Sequence, residues 1–138
     1  MTHSQLRLVL VLGVPLLALP ACAPKRHVTV EEISKLGKLS EVMDAQATYA
    51  DPMFKKRDQA AFTDAEYAEL TDASARLQAT SLKIKDFSKG AGFDELATRL
   101  HDRTAELGTA AQGKDGAGVR KALTEMKATC KECHSKFR

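Results

Sequence analysis

The C-terminal stretch VRKALTEMKATCKECHSKFR, residues 119–138, decides the fold prediction. Apolar or sulfur-containing side chains recur in it at alternating steps of three and four residues, which is the spacing of one face of an α-helix. They are Val119, Leu123, Met126, Cys130, Cys133 and Phe137. Both cysteines of this stretch are therefore expected on the buried face of the helix.

Three further stripes of the same kind precede this segment. Thr29 with Glu32, and Thr63 with Glu66, have the spacing of capping boxes and predict where the first and second helices begin. The predicted inward residues are Ile33, Leu36, Ser40, Met43, Ala47 and Ala50 in the first helix, Leu70, Ala73, Leu77, Thr80, Ile84 and Phe87 in the second, and Phe93, Leu96, Leu100, Leu107 and Ala111 in the third.

The ends of these helices are predicted from proline and glycine. Asp51-Pro52 predicts the end of the first helix, and the glycine-containing stretches 90–92 and 113–118 predict the later breaks. Residues 51–62 form the one longer connection, and no segment alternates like a strand. Four amphipathic helices with mostly short connections indicate an all-α protein, an antiparallel four-helix bundle whose core can hold a cofactor.

Composition limits the chain to one domain. Of its 138 residues 43% are hydrophobic, which is enough for one small core. The 21 basic and 18 acidic residues are interleaved, and removing residues 1–21 takes away Arg7 and no acid, which leaves a formal charge of +2. This balance is too weak to indicate a nucleic-acid partner. The predicted globular domain covers residues 29–138.

The N-terminal part has the features of a secretion signal. An apolar run at residues 8–19 follows Arg7 and is too short to cross a bilayer as a helix. We therefore predict a signal peptide over residues 1–21. The mature protein is expected in the periplasm.

The predicted signal peptide leads into LPAC at residues 19–22, which resembles the bacterial lipoprotein signal, where the peptidase cuts before a cysteine that is then acylated. Cys22 is thus a candidate membrane anchor, and the alternative is ordinary cleavage that leaves a free thiol. Because Cys130 and Cys133 form a local pair, Cys22 is otherwise an odd thiol in an oxidising compartment. Residues 22–28 are short, polar and proline-bearing, which predicts a tether.

The sequence CKECH at residues 130–134 has the C-x-x-C-H pattern of haem attachment. On a helix Cys130 and Cys133 lie about 60° apart, and His134 lies about 40° from Cys130 on the other side, so that all three share one face. Two thiols can bond the vinyl groups while the imidazole reaches the iron. Covalent attachment retains haem in a domain too small to enclose it fully.

Other interpretations of this motif fit less well. A thioredoxin-like CxxC follows a strand in a βαβ unit, and a zinc site needs more ligands than the distant His27 and His101 offer. A structural disulfide leaves His134 unexplained. The chain shows no nucleophile and base pair and no phosphate loop, so an enzyme is not predicted.

The ending CKECHSKFR at residues 130–138 resembles the C-K-x-C-H-x-x-[FY]-R ending of class II c-type cytochromes, the cytochrome c prime family. The resemblance implies a four-helix bundle with a single covalent haem c, whose iron is bound by His134. It also implies that Arg138, the family's terminal arginine, bonds a haem propionate or screens the proximal side. The alternative for Arg138 is a solvated chain end.

The resemblance leaves the sixth iron ligand open. High-spin members have an apolar residue on the first helix and bind nitric oxide or carbon monoxide, whereas low-spin members have a methionine about midway along it and carry electrons. Met43 occupies that point, although methionines at helical spacing often only fill a core. Met53 and His101 are weaker candidates. Many high-spin members have an arginine one turn before the distal residue, where this chain has Leu39.

These features predict a monohaem electron carrier that uses His134 and Met43, tethered to a membrane and meeting redox proteins at an exposed haem edge. The alternative is a five-coordinate haem that binds nitric oxide or carbon monoxide. A third hypothesis is a lipoprotein without haem that uses its cysteines structurally. The sequence does not define the oligomeric state, although family members often form homodimers through faces of the bundle.

Overall fold

The computed structural model describes residues 27–138, whose regular structure is entirely helical. The predicted signal peptide, Cys22 and most of the tether lie outside the described residues. The long helices α2 to α5 form the predicted four-helix bundle, and the short α1 packs on α3. The helices are α1 Val30–Ser34, α2 Leu39–Lys55, α3 Asp64–Ile84, α4 Ala91–Gln112 and α5 Gly116–Phe137, and a 3-10 turn at Lys85–Phe87 extends α3.

Both predicted capping boxes are confirmed. The Thr29 hydroxyl accepts from the backbone N–H of Glu32, whose carboxylate accepts from the backbone N–H of Thr29 at 2.8 Å. Thr63 and Glu66 make the same reciprocal pair at the start of α3. Free amide donors of each first turn are satisfied in this way, which fixes where α1 and α3 begin.

The expectation of one continuous first helix is wrong, because α1 ends at Ser34 and α2 begins at Leu39. The Glu41 carboxylate accepts from the backbone N–H groups of Gly37 and Lys38, both at 3.2 Å. It thereby satisfies donors that a continuous helix would have paired internally. The spacing of the apolar residues does not indicate this local cap, with which α2 begins.

The predicted end at Asp51-Pro52 is also wrong, since α2 continues through Pro52 to Lys55. A proline inside a helix removes one backbone hydrogen bond and costs about 3 kcal/mol. The turn beyond it buries Met53, which is 2% exposed, and packs Phe54 against the core. Burial of these side chains offsets the cost, and the α2–α3 connection shortens to residues 56–63.

The breaks between helices are shorter than the predicted glycine-containing stretches 90–92 and 113–118. Gly90, at φ 105°, precedes α4, and only this glycine of the 90–92 stretch stands outside the helix. Asp115 caps α5 by accepting from the backbone N–H groups of Ala117 and Gly118, each at 3.0 Å. Gly92 lies in the first turn of α4 and Gly116 and Gly118 lie in the first turn of α5, whereas Gly113 follows the end of α4.

The predicted inward stripes of α3, α4 and α5 form the core, with Phe87, Cys130, Cys133 and Phe137 half-buried at its edge. In α2, however, the buried stripe is Val42, Ala45, Tyr49 and Met53, and of the residues predicted to face inward there only Ala50 is buried. The stripe predicted there from Ser40 to Ala47 is exposed or half-buried instead. It faces an opening, because α2 packs on α3, α3 on α4 and α4 on α5, whereas α2 and α5 touch sparsely.

No helix within residues 27–138 is both long and apolar enough to cross a membrane.

Candidate haem site

A cleft of about 1540 Å³ lies between α2 and α5, larger than the roughly 300–1,000 Å³ of common ligand sites. Its floor is apolar, because Phe93, Leu96, Ala97 and Leu100 of α4 line it. These four side chains are 7% exposed or less, so the floor is a continuation of the core. The cleft has room for a large flat apolar cofactor.

The α5 wall carries the motif. Cys130, Cys133 and His134 all line the cleft, as expected from their shared helical face. Both cysteines are free thiols that pack half-buried against the core, and His134 is exposed. The two thiols and the imidazole can therefore meet one cofactor from the same side.

Burial controls the chemistry of the thiols. It raises the pKa of Cys130 to about 11, with smaller contributions from the negative charges of Cys133 and Asp51. Burial also raises the pKa of Cys133. Reactive thiolates of thioredoxin-like enzymes need a lowered pKa, so these thiols are poor redox catalysts.

The α2 wall presents a thioether. Met43 is half-buried and lines the cleft, and the small side chains of Ser40 and Ala47, one turn to either side, line it as well. The weaker candidates lie elsewhere. Met53 is buried in the core, and His101 Nδ1 lies 3.2 Å from the Ser81 hydroxyl between α3 and α4. Ligation of iron by Met43 stays a prediction.

Five basic side chains line the cleft. One of them, Lys127, places its ammonium 5.6 Å from the centre of the Phe54 ring, and another, Lys89, donates to the Phe137 carbonyl at 2.8 Å. The bases that line the cleft are Lys55, Lys89, Lys127, Lys131 and Arg138.

These features fit a haem. Haem would bring propionate carboxylates for the basic side chains, vinyl groups for the thiols and an apolar macrocycle for the floor. Its iron takes four ligands from the porphyrin and needs only axial ligands from the protein. The described part of the chain holds no group of three or more His, Cys, Asp or Glu side chains that could bind a metal ion.

Ion pairs on the outer side of α5 connect the C-x-x-C-H segment to α4. Glu132 lies between the two cysteines in sequence, and its carboxylate accepts from Arg99 of α4 and from Lys136, both at 2.7 Å. These bonds, the one from Lys136 first, lower the pKa of Glu132. The ion pairs hold α5 in register with α4 while the cysteines face the cleft.

Phe54, Lys127 and Gln46 are among the cleft-lining residues that the sequence analysis missed. Phe54 continues the α2 stripe beyond Met43, and taking Pro52 as the end of the helix hid it. Lys127 lies one turn before Cys130. Gln46, three residues after Met43, is 6% exposed and is hydrogen-bonded to Thr80 of α3. Helical spacing from Met43 or Cys130 would have identified all three.

A family model described as Cytochrome C' matches residues 25–138 of the chain. The match includes every residue that lines the cleft. Comparison with curated proteins gave no significant match, and comparison with solved structures gave none either.

Proposed function

The chain belongs to the cytochrome c' family, and from this we propose that it carries single electrons between redox proteins, with haem iron bound by His134 and Met43. The family implies a covalently bound haem c. The chain has a single C-x-x-C-H motif, which supports one haem. A role in binding and electron transfer rather than in enzymatic conversion accords with the family.

One observation carries the electron-transfer proposal: Met43 and His134 line the same cleft from different helices. The bound haem supplies an iron that changes between the ferrous and ferric states. His134 and Met43 would hold the haem iron, and the thioether of Met43, which favours ferrous iron, would raise the reduction potential. Because His134 and Arg138 are exposed, a redox partner can approach this side of the site.

A second function is favoured by the family match itself, since the cytochrome c' family name fits gas binding at least as well. If the sulfur of Met43 stays off the iron, the sixth position is open to nitric oxide or carbon monoxide. Met43 would then act as an apolar wall, and the small residues Ser40 and Ala47 would leave room for the diatomic molecule.

The experiment is to compare the visible spectra of the wild type, Met43→Leu and Met53→Leu, all matured with haem. Leucine keeps the volume and removes the sulfur. If Met43 ligates iron, the weak far-red band of methionine-ligated ferric haem is lost in Met43→Leu and kept in Met53→Leu, the same change in the core. A high-spin wild type that binds carbon monoxide rejects electron transfer through Met43 in favour of gas binding.

We propose that the mature protein is periplasmic and lipid-anchored through Cys22, as the sequence pattern of residues 19–22 suggests. Mass spectrometry of the N-terminal peptide tests the acylation. Cys22→Ser should move the protein from the membrane to the soluble fraction. A soluble wild-type protein with an unmodified Cys22 rejects the anchor but leaves the proposed haem chemistry unaffected.

A further inference from the structure

The last turn of α5 carries His134, and the helix ends at Phe137. Carbonyl groups in the last turn of a helix have no N–H partner within the helix, so such a turn frays unless other groups bind it. His134 lies three residues before Phe137 and about 60° from it around the helix, so the two side chains are neighbours on its surface. A contact that fixes Phe137 therefore also limits the motion of His134.

Two contacts with other parts of the chain hold this turn. The ammonium of Lys89, in the α3–α4 connection, donates to the Phe137 carbonyl oxygen at 2.8 Å. Its positive charge thereby lies at the negative end of the α5 dipole. The rings of Phe93 and Phe137 meet edge to face with their centroids 5.4 Å apart. Because Phe93 is 3% exposed and belongs to the core, it supports the turn from a fixed position.

The connection that carries Lys89 is itself held by hydrogen bonds. The Ser88 hydroxyl donates to the Asp94 carboxylate at 2.8 Å and accepts from the backbone N–H of Gly90 at 3.2 Å. Gly90 has a φ of 105°, which residues with a side chain rarely adopt. Since Lys89 lies between these two residues, its backbone has a defined position from which the side chain reaches α5.

We propose that Lys89 is a positioning residue for the axial ligand, because its bond to the Phe137 carbonyl holds the last turn of α5 and keeps the imidazole of His134 in one orientation toward the haem iron. The inference rests on the part of the proposed function in which His134 binds iron, and it does not depend on Met43. Without the bond the turn frays and the imidazole takes several orientations. Residues that orient a metal ligand also tune the metal, so the ferric iron should report the change.

The test uses the haem-loaded full chain and measures hydrogen exchange of the backbone amides of residues 134–138 and the electron paramagnetic resonance spectrum of the ferric form. Lys89→Met keeps most of the side chain and removes the donor and its charge. Exchange should become about two- to fivefold faster, as expected for an exposed hydrogen bond, and the ferric signal should broaden or split into several species. Lys89→Arg, which keeps a charged donor, should restore both properties. Lys85→Met, the same change outside the cleft, should alter neither.

The outcomes separate this inference from the proposed function. A wild type without covalent haem overturns both. If haem is attached and Lys89→Met keeps the wild-type ferric signal, only the role of Lys89 is overturned, even where exchange is faster, because the bond is then structural alone. An equal change in Lys85→Met, or no restoration by Lys89→Arg, overturns it as well. Lys89 is exposed, so its variants should fold normally, which circular dichroism checks.

Discussion

The α2–α3 connection, residues 56–63, differs from the cleft between α2 and α5 in how its polar groups are paired. In the connection, Lys56 pairs with Glu66 at 3.0 Å and with Glu69 at 3.1 Å. The amide of Gln59 donates to the Glu66 carboxylate, and Arg120 of α5 donates to backbone carbonyls of the connection. The chain thus supplies both partners of each of these interactions.

In the cleft some groups lack a partner among the described residues. Gln46 Nε2 has no hydrogen-bond partner within residues 27–138, and the thiols of Cys130 and Cys133 are not bonded to each other. Isolated polar groups that face an apolar surface lower stability unless another molecule pairs with them. The comparison teaches that the connection pairs its own polar groups, whereas the cleft leaves the buried amide nitrogen of Gln46 without a partner among residues 27–138.

The largest expected effect comes from removing the two cysteine thiols that line the cleft. Cys130→Ala with Cys133→Ala should abolish covalent haem, because no other thiol lies in the described residues. The helices should persist, since both cysteines are only half-buried at the edge of the core. Visible absorption after denaturation and acid extraction measures the retained haem, and circular dichroism measures the helices.

Ser135→Ala is the control for the double variant, because Ser135 is exposed and its hydroxyl donates only to the backbone carbonyl of Glu132. It should retain haem fully. Haem that remains covalently bound in the double variant would contradict the assignment of the cleft.

An intermediate effect distinguishes the core from the cleft wall. Leu107→Ala, at a fully buried position, should lower the free energy of unfolding by about 2–5 kcal/mol with or without haem. Leu39→Ala, at a half-buried position lining the cleft, should lower the free energy of unfolding of the haem-free protein less than Leu107→Ala does. Its effect should be larger with haem than without it, because the cofactor covers the wall. Urea unfolding of both forms measures the difference. An equal cost for the two variants without haem would mean that the wall is already packed.

Most of the fold could be predicted because its signals are local. The capping boxes at Thr29 and Thr63 and the apolar stripes of α3 to α5 depend on neighbours in sequence, and all appear as predicted. The motif residues on α5 also share the cleft, because three residues within five positions of one helix have a fixed arrangement.

The features that were missed depend on tertiary contacts. Pro52 is a helix breaker by propensity, yet burial of Met53 and packing of Phe54 carry α2 past it. The stripe through Met43 was predicted to lie in the core, because apolar spacing does not distinguish a helix face that contacts other helices from one that faces a cofactor. The contact between Gln46 and Thr80 joins residues 34 positions apart, so no local pattern indicates it.

The smallest predicted effect concerns the α2–α3 connection and its central carboxylate, Glu66. The backbone N–H of Thr63, followed by the side chains of Gln59 and Lys56, lowers the pKa of Glu66 from 4.5 to about 2. The folded protein therefore holds this proton less tightly than the unfolded chain does. The resulting stability is fully present above pH 4.5 and is lost as the pH falls from 4.5 toward 2.

Glu66→Gln should remove this contribution and flatten the fall in unfolding free energy across that window, while leaving the covalent haem unchanged. Urea unfolding at several pH values, with the haem in one redox state, measures the slope. Glu69→Gln is the matched control, because it removes the other acid bound to Lys56 and keeps the Thr63 cap. Parallel pH profiles for Glu66→Gln and the wild type would show that the network does not depend on the charge of Glu66. The contrast between this connection and the cleft would then lose its electrostatic basis.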